Sequence, residues 1–148
     1  MKISILLPYK ENFSIEYAGA VSIFINSVNS KSKFKDKITV YGNTKYRNYL
    51  SKNYLNISLD ETSIISSNNS LYVKNFIKKK NVIKSDIIEI HNRPNYVKQI
   101  LKLKKSKKIL YFHNNPLEMK GSISIKERLF LIKSLDNIVF NSIWTKKR

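Results

Sequence analysis

The chain of 148 residues contains no cysteine. This absence excludes disulfides, thiolate zinc sites and cysteine nucleophiles, and it fits a reducing compartment, so the cytoplasm is the expected location. Only three glycines and three prolines occur, while 42% of the residues are hydrophobic. That composition indicates a folded domain rather than a linker or a disordered tail. The length suits a single domain with a sizeable core.

Long apolar runs are also missing. The run Ile3 to Leu7 is short and is followed by Pro8, Lys10 and Glu11, which favours a first strand over a secretory signal. No run approaches the roughly 20 residues of a membrane-spanning helix. Any membrane contact is therefore expected to be peripheral, on the inner face of the membrane.

Acidic residues are scarce, with 10 against 28 basic ones, which gives a net charge of +18. Such a field attracts nucleic acid, anionic lipid headgroups or phosphorylated substrates. A general bias towards Lys, Asn and Ile gives the same charge without any ligand, so these alternatives stay open. The basic residues form four clusters: Lys31, Lys33, Lys35 and Lys37; Lys78, Lys79 and Lys80; Lys102, Lys104, Lys105, Lys107 and Lys108; Lys146, Lys147 and Arg148.

Apolar periodicity predicts strands that alternate with helices. The predicted strands are Ile3 to Leu7, Ile38 to Tyr41, Leu55 to Leu59, Ile87 to Ile90, Ile109 to Phe112 and Asn137 to Ser142. The predicted helices bury Val21, Ile23, Phe24 and Val28; Tyr46, Tyr49 and Leu50; Leu71, Val73, Phe76 and Ile77; Tyr96, Val97 and Ile100; and Leu129, Ile132 and Leu135. This pattern predicts a doubly wound α/β domain, with a mostly parallel sheet and helices on both faces.

Polar residues follow the predicted strands directly. Ligands of doubly wound sheets bind beyond the carboxyl ends of the strands, so we expect these residues to share one edge. They are Pro8 to Glu11, His91 to Arg93, His113 to Asn115, and Asn141 with Ser142. Either histidine is suited to bind a sugar hydroxyl, to contact a phosphate when protonated, or to act as an acid or base; a structural histidine is the alternative. Arg93 is suited to a carboxylate or phosphate, or is a surface residue beside Pro94.

Several site classes lack their motifs. The G-x-G-x-x-G spacing, the Walker lysine and the serine nucleophile elbow are absent, and the first strand is not followed by the paired acids of a magnesium-binding receiver domain. Two histidines without a third ligand at metal-site spacing disfavour a metal. Neither a metal nor a cofactor is therefore predicted. Gly19, at the start of the first helix, favours either an anion or plain helix–strand packing.

Four stretches in order resemble a known family. They are Ile3 to Val21 with its Tyr17-Ala18-Gly19-Ala20 loop, "DIIEIHNRPNYV", "KKILYFHNNP" and "NIVFNSIWTKKR". Together they resemble the amino-terminal half of family 4 glycosyltransferases of the GT-B fold, which build lipopolysaccharide and capsule sugars. The resemblance covers nearly the whole chain and implies that residues 1–148 are the Rossmann-like, acceptor-side domain. It implies transfer from a nucleotide sugar to a glycan or lipid-linked acceptor, with retention and without a divalent metal.

The resemblance also implies roles for individual residues. Ala18, Gly19 and Ala20 would approach the donor phosphates, His113 would lie near the transferred sugar, and His91, Asn92 and Arg93 would line the same cleft. His91 and His113 are thus the catalytic candidates, and Asn114 and Ser142 join the substrate-binding candidates at their strand ends. The family's second domain, with its paired glutamates, does not follow in the chain, so we expect it in cis or trans and expect little catalysis without it.

A non-enzymatic basic module that binds nucleic acid or an anionic surface is the alternative. Nucleic acid is disfavoured because Tyr72, Phe76, Tyr96 and Phe130 have the spacing of helical core residues and leave no stacking platform.

Overall fold

A six-stranded, all-parallel sheet forms the centre of the protein, which confirms the predicted doubly wound α/β fold. The computed structural model describes residues 1–59 and 67–147. The strands are β1 (Ile3–Leu6), β2 (Ile38–Gly42), β3 (Tyr54–Asn56), β4 (Ile87–His91), β5 (Lys107–Phe112) and β6 (Asn137–Phe140). Their spatial order is β3-β2-β1-β4-β5-β6. This is the order of doubly wound nucleotide-binding sheets.

Helices connect the strands. They are α1 (Ala20–Lys31), α2 (Asn68–Lys78), α3 (Lys80–Ile83), α4 (Val97–Ile100), α5 (Ile125–Ser134) and α6 (Ile143–Lys146), with 3-10 turns at Lys35–Lys37, Pro94–Tyr96 and Pro116–Glu118. Within residues 1–59 and 67–147, no helix is both long and apolar enough to cross a membrane.

Two hydrophobic clusters cover opposite faces of the sheet, because alternate residues of a strand point to opposite sides. On the first face, α2, α4 and α5 pack over Leu6, Ile88, Ile90, Leu110 and Phe112. On the second face, α1 packs through Val21 and Ile25 over Ile3, Ile5, Leu7, Ile38 and Val40. Helix α1 therefore covers the half of the second face that belongs to β1 and β2.

The second face of β4, β5 and β6 is less covered. Its residues include two cross-strand pairs, Glu89 with Ile109 and Tyr111 with Val139. All four are half-buried, whereas the neighbouring residues that face the other way, such as Ile88 and Leu110, are fully buried. Glu89 therefore keeps partial access to water in the middle of a parallel sheet.

The strand order changes direction between β1 and β4, which are neighbours in the sheet. The connection after β1 leads towards β2, and the connection after β4 leads towards β5 on the opposite side. The carboxyl ends of β1 and β4 therefore border the crevice where sheets of this type bind ligands. His91 ends β4 at this crevice, as the sequence predicts.

Two helices bury fewer apolar residues than predicted. Ile23, Phe24 and Val28 of α1 are exposed, and only Val21, Ser22 and Ile25 are buried. In α5, Leu129, Phe130 and Ile132 are exposed and Leu131 is buried, so the predicted burial of those three was wrong. The apolar residues of these helices occupy more than one face, and only one face of each meets the sheet.

The helix predicted around Tyr46 to Leu50 is also wrong. Residues 43–53 form an irregular connection in which Tyr49 makes an antiparallel bridge with Ser14. Tyr46 stacks on Tyr17 with ring centroids 4.2 Å apart, and Tyr49 packs on Tyr54. These aromatic contacts to the loop after β1 and to β3 replace the helical ones. The predicted third strand is real but shorter, and residues 60–66 lie outside the described residues.

Candidate functional site

The two histidines of the chain lie in direct contact at the carboxyl ends of β4 and β5. Nδ1 of His91 and Nε2 of His113 are 2.9 Å apart, and the two rings are inclined by 21° with their centroids 5.2 Å apart. His91 is only 1% exposed, whereas His113 is half-buried and packs roughly perpendicular to the Phe24 ring of α1. The inner histidine is therefore part of the packed structure, and the outer one has access to a ligand.

Two strand residues hold the inner imidazole. The Tyr111 ring stacks on the His91 ring at a centroid distance of 4.6 Å and an angle of 7°, as their pairing in the sheet allows. Nε2 of His91 is buried without a hydrogen-bond partner, and Oε2 of Glu89 lies 3.6 Å from it. This distance is too long for a hydrogen bond, but it is close enough for electrostatic attraction. Glu89, His91 and His113 thus form a row from the sheet interior to its edge.

Both imidazoles are neutral at pH 7. Burial lowers the pKa of His91, although the neighbouring Glu89 carboxylate opposes this effect. Burial, and then the adjacent His91, lower the pKa of His113 to about 4. A neutral imidazole cannot attract a phosphate as a cation would, so hydroxyl groups suit this pair better.

Asn92 joins the histidines to the following loop. Its backbone has φ of 54°, a left-handed conformation that asparagine tolerates better than most residues. Its Oδ1 accepts hydrogen bonds from the backbone N–H groups of His113 (2.9 Å) and Asn114 (3.3 Å). Its own N–H donates to the Tyr111 carbonyl, and its carbonyl accepts from Nη1 of Arg93 at 2.8 Å. The amide therefore fixes the ends of both strands relative to each other.

A polar cleft of about 400 Å³ opens beside Asn92. Five asparagines contribute to its lining, together with two basic residues and one acidic residue. The lining residues are Asn69, Asn92, Arg93, Pro94, Asn95, Asn114, Asn115, Glu118, Met119 and Lys120. Amides donate and accept hydrogen bonds at once, which matches the hydroxyls of a sugar. The predicted residues Asn92, Arg93 and Asn114 thus share one cleft.

The start of α1 is occupied by an internal anion. Gly19 precedes the helix with φ of −74°, and a Cβ placed there would lie 2.1 Å from Oε1 of Glu11. The same oxygen accepts a hydrogen bond from the Ser22 N–H at 3.2 Å. Gly19 therefore makes room for the Glu11 carboxylate, beside half-buried Ala18 and exposed Ala20.

Ser142 caps the short helix that follows β6. Its Oγ accepts a hydrogen bond from the Thr145 N–H and so caps the short helix α6. The preceding residue reaches the histidines: Nδ2 of Asn141 donates to the carbonyl of His113 at 3.0 Å. Ser142 therefore caps a helix, and its neighbour Asn141 makes the hydrogen bond to His113.

The predicted residues therefore fall into three groups. His91, His113, Asn92 and Asn114 are linked directly, and Arg93 joins them through the cleft. The second group, Ala18, Gly19 and Ala20, lies at the start of α1. It is one helical turn before Phe24, the residue that contacts His113. Ser142 caps α6.

Sequence reasoning missed two residues of this region, Glu89 and Asn69, and it missed the role of Glu11, which it places at this edge only as one of the residues Pro8 to Glu11. Glu89 is a carboxylate within an apolar strand, two positions before His91, and strand alternation alone places both on one face. Asn69 reaches the cleft from the first turn of α2, which the Ser67 side chain caps. Glu11 reaches α1 through a loop contact that carries no sequence signal. Within the described residues, no three His, Asp or Glu side chains are grouped to hold a metal ion.

Comparisons with known proteins add no relative. No protein-family model, no curated protein and no solved structure matches the chain.

Proposed function

We propose that this domain supplies the acceptor side of a glycosyltransferase site, where a sugar passes from a nucleotide-sugar donor to a glycan or lipid-linked acceptor. The observation that carries the proposal is the contact of two neutral histidines, tied by Asn92 to an amide-lined cleft at the carboxyl edge of the sheet. The resemblance of its four sequence stretches to the amino-terminal half of family 4 glycosyltransferases supports the same function. Retention of configuration without a divalent metal follows from that resemblance.

The chemistry of the cleft favours a sugar. Sugar rings offer many hydroxyls that each donate and accept, and the side-chain amides around Asn92 do the same. Arg93 and Lys120 allow a phosphate or carboxylate on the acceptor, with Glu118 as the opposing charge. In this proposal His113 faces the sugar and Asn92, Arg93 and Asn114 hold the acceptor.

The donor needs a second α/β domain, in cis or trans. The amides at the start of α1 are the predicted contact of the donor phosphates, and there the Glu11 carboxylate already receives the Ser22 N–H. A donor phosphate would have to displace this carboxylate. The coding DNA after Arg148 tests the requirement: a reading frame that continues into an α/β domain with two paired glutamates supports it.

Saturation-transfer NMR tests the acceptor side on the 148-residue chain. The probes are neutral glycosides, sugar phosphates and single-stranded oligonucleotides. We expect transfer to the sugars and a loss of about tenfold in affinity in Asn92→Gly, which keeps the left-handed backbone but removes Oδ1; tenfold corresponds to about 1.4 kcal/mol. Lys10→Gly is the matched control, because Lys10 is the other non-glycine residue with positive φ (66°) in the described chain. Transfer only to the oligonucleotide would contradict the proposal.

A basic module that docks on an anionic surface is the second candidate. It is favoured by the exposed lysines at the amino ends of the strands, which we name the amino-end basic surface. They are Lys2, Lys31, Lys33, Lys35, Lys37, Lys78, Lys79, Lys80, Lys84, Lys102, Lys104, Lys105 and Lys107. Lys108 does not belong to it, because its side chain is buried and its Nζ donates to the Ser106 carbonyl.

A further inference from the structure

The buried Nε2 of His91 requires an account, because buried polar atoms are nearly always paired. The nearest charged group is the Glu89 carboxylate, 3.6 Å away on the same strand. A neutral imidazole carries one N–H and one lone pair. If the lone pair faced Glu89, two electron-rich groups would oppose each other in a poorly hydrated part of the sheet. The carboxylate therefore favours the tautomer of His91 with its proton on Nε2.

That tautomer determines the next contact in the row. With its proton on Nε2, His91 presents a lone pair at Nδ1, which lies 2.9 Å from Nε2 of His113. A hydrogen bond at this distance needs a proton on one of the two nitrogens, so Nε2 of His113 must carry it. Since His113 is neutral, its Nδ1 is then left as a lone pair. Within the described residues, this Nδ1 has no hydrogen-bond partner, and it is not among the buried unpaired atoms.

We infer that Glu89 and His91 are positioning residues that set the tautomer of His113, so that its outward Nδ1 accepts a hydrogen bond from a ligand hydroxyl. The ligand part of this inference rests on the proposed function; the tautomer part does not. Of the roles predicted for His113, this inference selects a hydrogen bond with a sugar hydroxyl. It excludes a contact in which a protonated His113 binds a phosphate.

The groups around the pair are consistent with this assignment. From β4 the titratable neighbour of the pair is Glu89, and from β5 it is Tyr111, which stacks on His91. From α1 the ring of Phe24 meets His113, and from the loop after β6 Asn141 binds only the His113 carbonyl. Among residues 1–59 and 67–147, Glu89 is thus the charged side chain that contacts the pair. The low pKa of His113, about 4, keeps the pair neutral over the range in which most enzymes work.

Long-range proton–nitrogen NMR of the ¹⁵N-histidine-labelled chain tests the inference, since it reports which nitrogen of each neutral ring carries the proton. At pH 7 we expect His91 and His113 both to be protonated on Nε2. In Glu89→Gln the amide can offer either its oxygen or its N–H₂ group to His91, so we expect both histidines to become mixtures of tautomers.

Asp36→Asn is the matched control, because it also turns one carboxylate into an amide but lies in the turn before β2. We expect it to leave both tautomers unchanged, and Tyr111→Phe, which keeps the stacked ring, to do the same. Protonation of His113 on Nδ1 in the wild-type chain would overturn the inference, as would Glu89→Gln spectra identical to those of Asp36→Asn. The wild-type spectrum decides the point even if a variant fails to fold.

The sugar-binding test described above has a separate outcome. If the tautomers are as expected but no sugar binds, the proposed function fails and the positioning role remains. If sugars bind but the tautomers are reversed, the proposed function remains and the positioning role fails.

Discussion

The carboxylate of Glu89, two residues before His91, is the charged group beside the buried imidazole. Glu89 and His91 point to the same face of β4, and that face is only partly covered beyond β1. A fully buried glutamate would be costly here, and a fully exposed one would be too well hydrated to act on the imidazole. The half-buried position lets the carboxylate influence His91 while water still solvates it.

Protonation of the histidines makes folding stability depend on pH. Both have a lower pKa in the folded protein than the ordinary 6.5, and for His113 the folded value is about 4. The unfolded chain therefore binds more protons between these values, so stability falls as the pH decreases from about 6.5 to about 4. Thermal unfolding at several pH values measures this effect. Carboxylates titrate in the same range, so the comparison is with His113→Asn, whose stability should decrease less steeply; parallel curves would contradict the prediction.

The elements of the sheet could be predicted well, and the helices less well. The strands were visible because a parallel strand is largely buried on both sides, so its residues form a nearly continuous apolar run, as in Ile109 to Phe112. The contact of His91 with His113 depends on β4 and β5 being neighbours in the sheet. The sequence predicts that both histidines lie at the carboxyl edge, because the ends of parallel strands share that edge. The rotation of α1 and α5 could not be predicted, because apolar residues such as Phe24 and Ile132 also lie on their exposed faces. The contact of Glu11 with α1 and the position of Asn69 in the cleft depend on tertiary packing alone.

The loop before α5 contributes Met119 and Lys120 to the wall of the polar cleft, and Gly121 allows the loop to approach Asn95 closely. Gly121 has φ of +98°, and a Cβ there would lie 2.6 Å from the backbone nitrogen of Asn95, which lines the cleft. We expect Gly121→Ala to lower the free energy of unfolding by roughly 2 kcal/mol or more, because both the backbone conformation and the contact become strained. Denaturant unfolding measures the change.

Gly19→Ala is the control for that substitution. Gly19 has an ordinary φ of −74°, and its added Cβ would meet the movable Glu11 side chain rather than the backbone. We expect a loss of about 1 kcal/mol or less. Equal losses in the two variants would show that the close approach at Gly121 has no special weight.

Most of the exposed lysines lie at the end of the sheet opposite the two histidines. The strand starts are level in the sheet, since Ile3 pairs with Ile38 and Ile87, and Ile87 pairs with Lys107. The amino-end basic surface gathers around these starts, where the helices also end, and helix carboxyl ends favour cations. Phe34 and Ile83 are exposed among these lysines. Lysines with exposed apolar side chains are typical of surfaces that bind anionic membranes.

Liposome binding tests this surface. We expect the chain to bind anionic vesicles, to lose that binding as salt is raised, and to bind neutral vesicles poorly. Replacing Lys102, Lys104 and Lys105 with Gln should weaken binding by about 3 kcal/mol, roughly 100-fold, at about 1 kcal/mol for each lysine. The control replaces Lys10, Lys120 and Lys126, which lie in other loops and in α5, and removes the same charge. Equal weakening in both variants, equal binding to neutral vesicles, or a preference for oligonucleotides would contradict the prediction.

The separation of lysines and histidines fixes how the molecule would stand on an anionic bilayer. The two regions lie at opposite ends of strands of four to six residues, which at about 3.3 Å per residue amounts to roughly 13–20 Å. Held by its lysines, the domain would turn its histidines away from the lipid and towards the solution. A lipid-anchored acceptor would then need a head group long enough to reach around the domain, whereas a short one would have to come from a neighbouring patch of membrane.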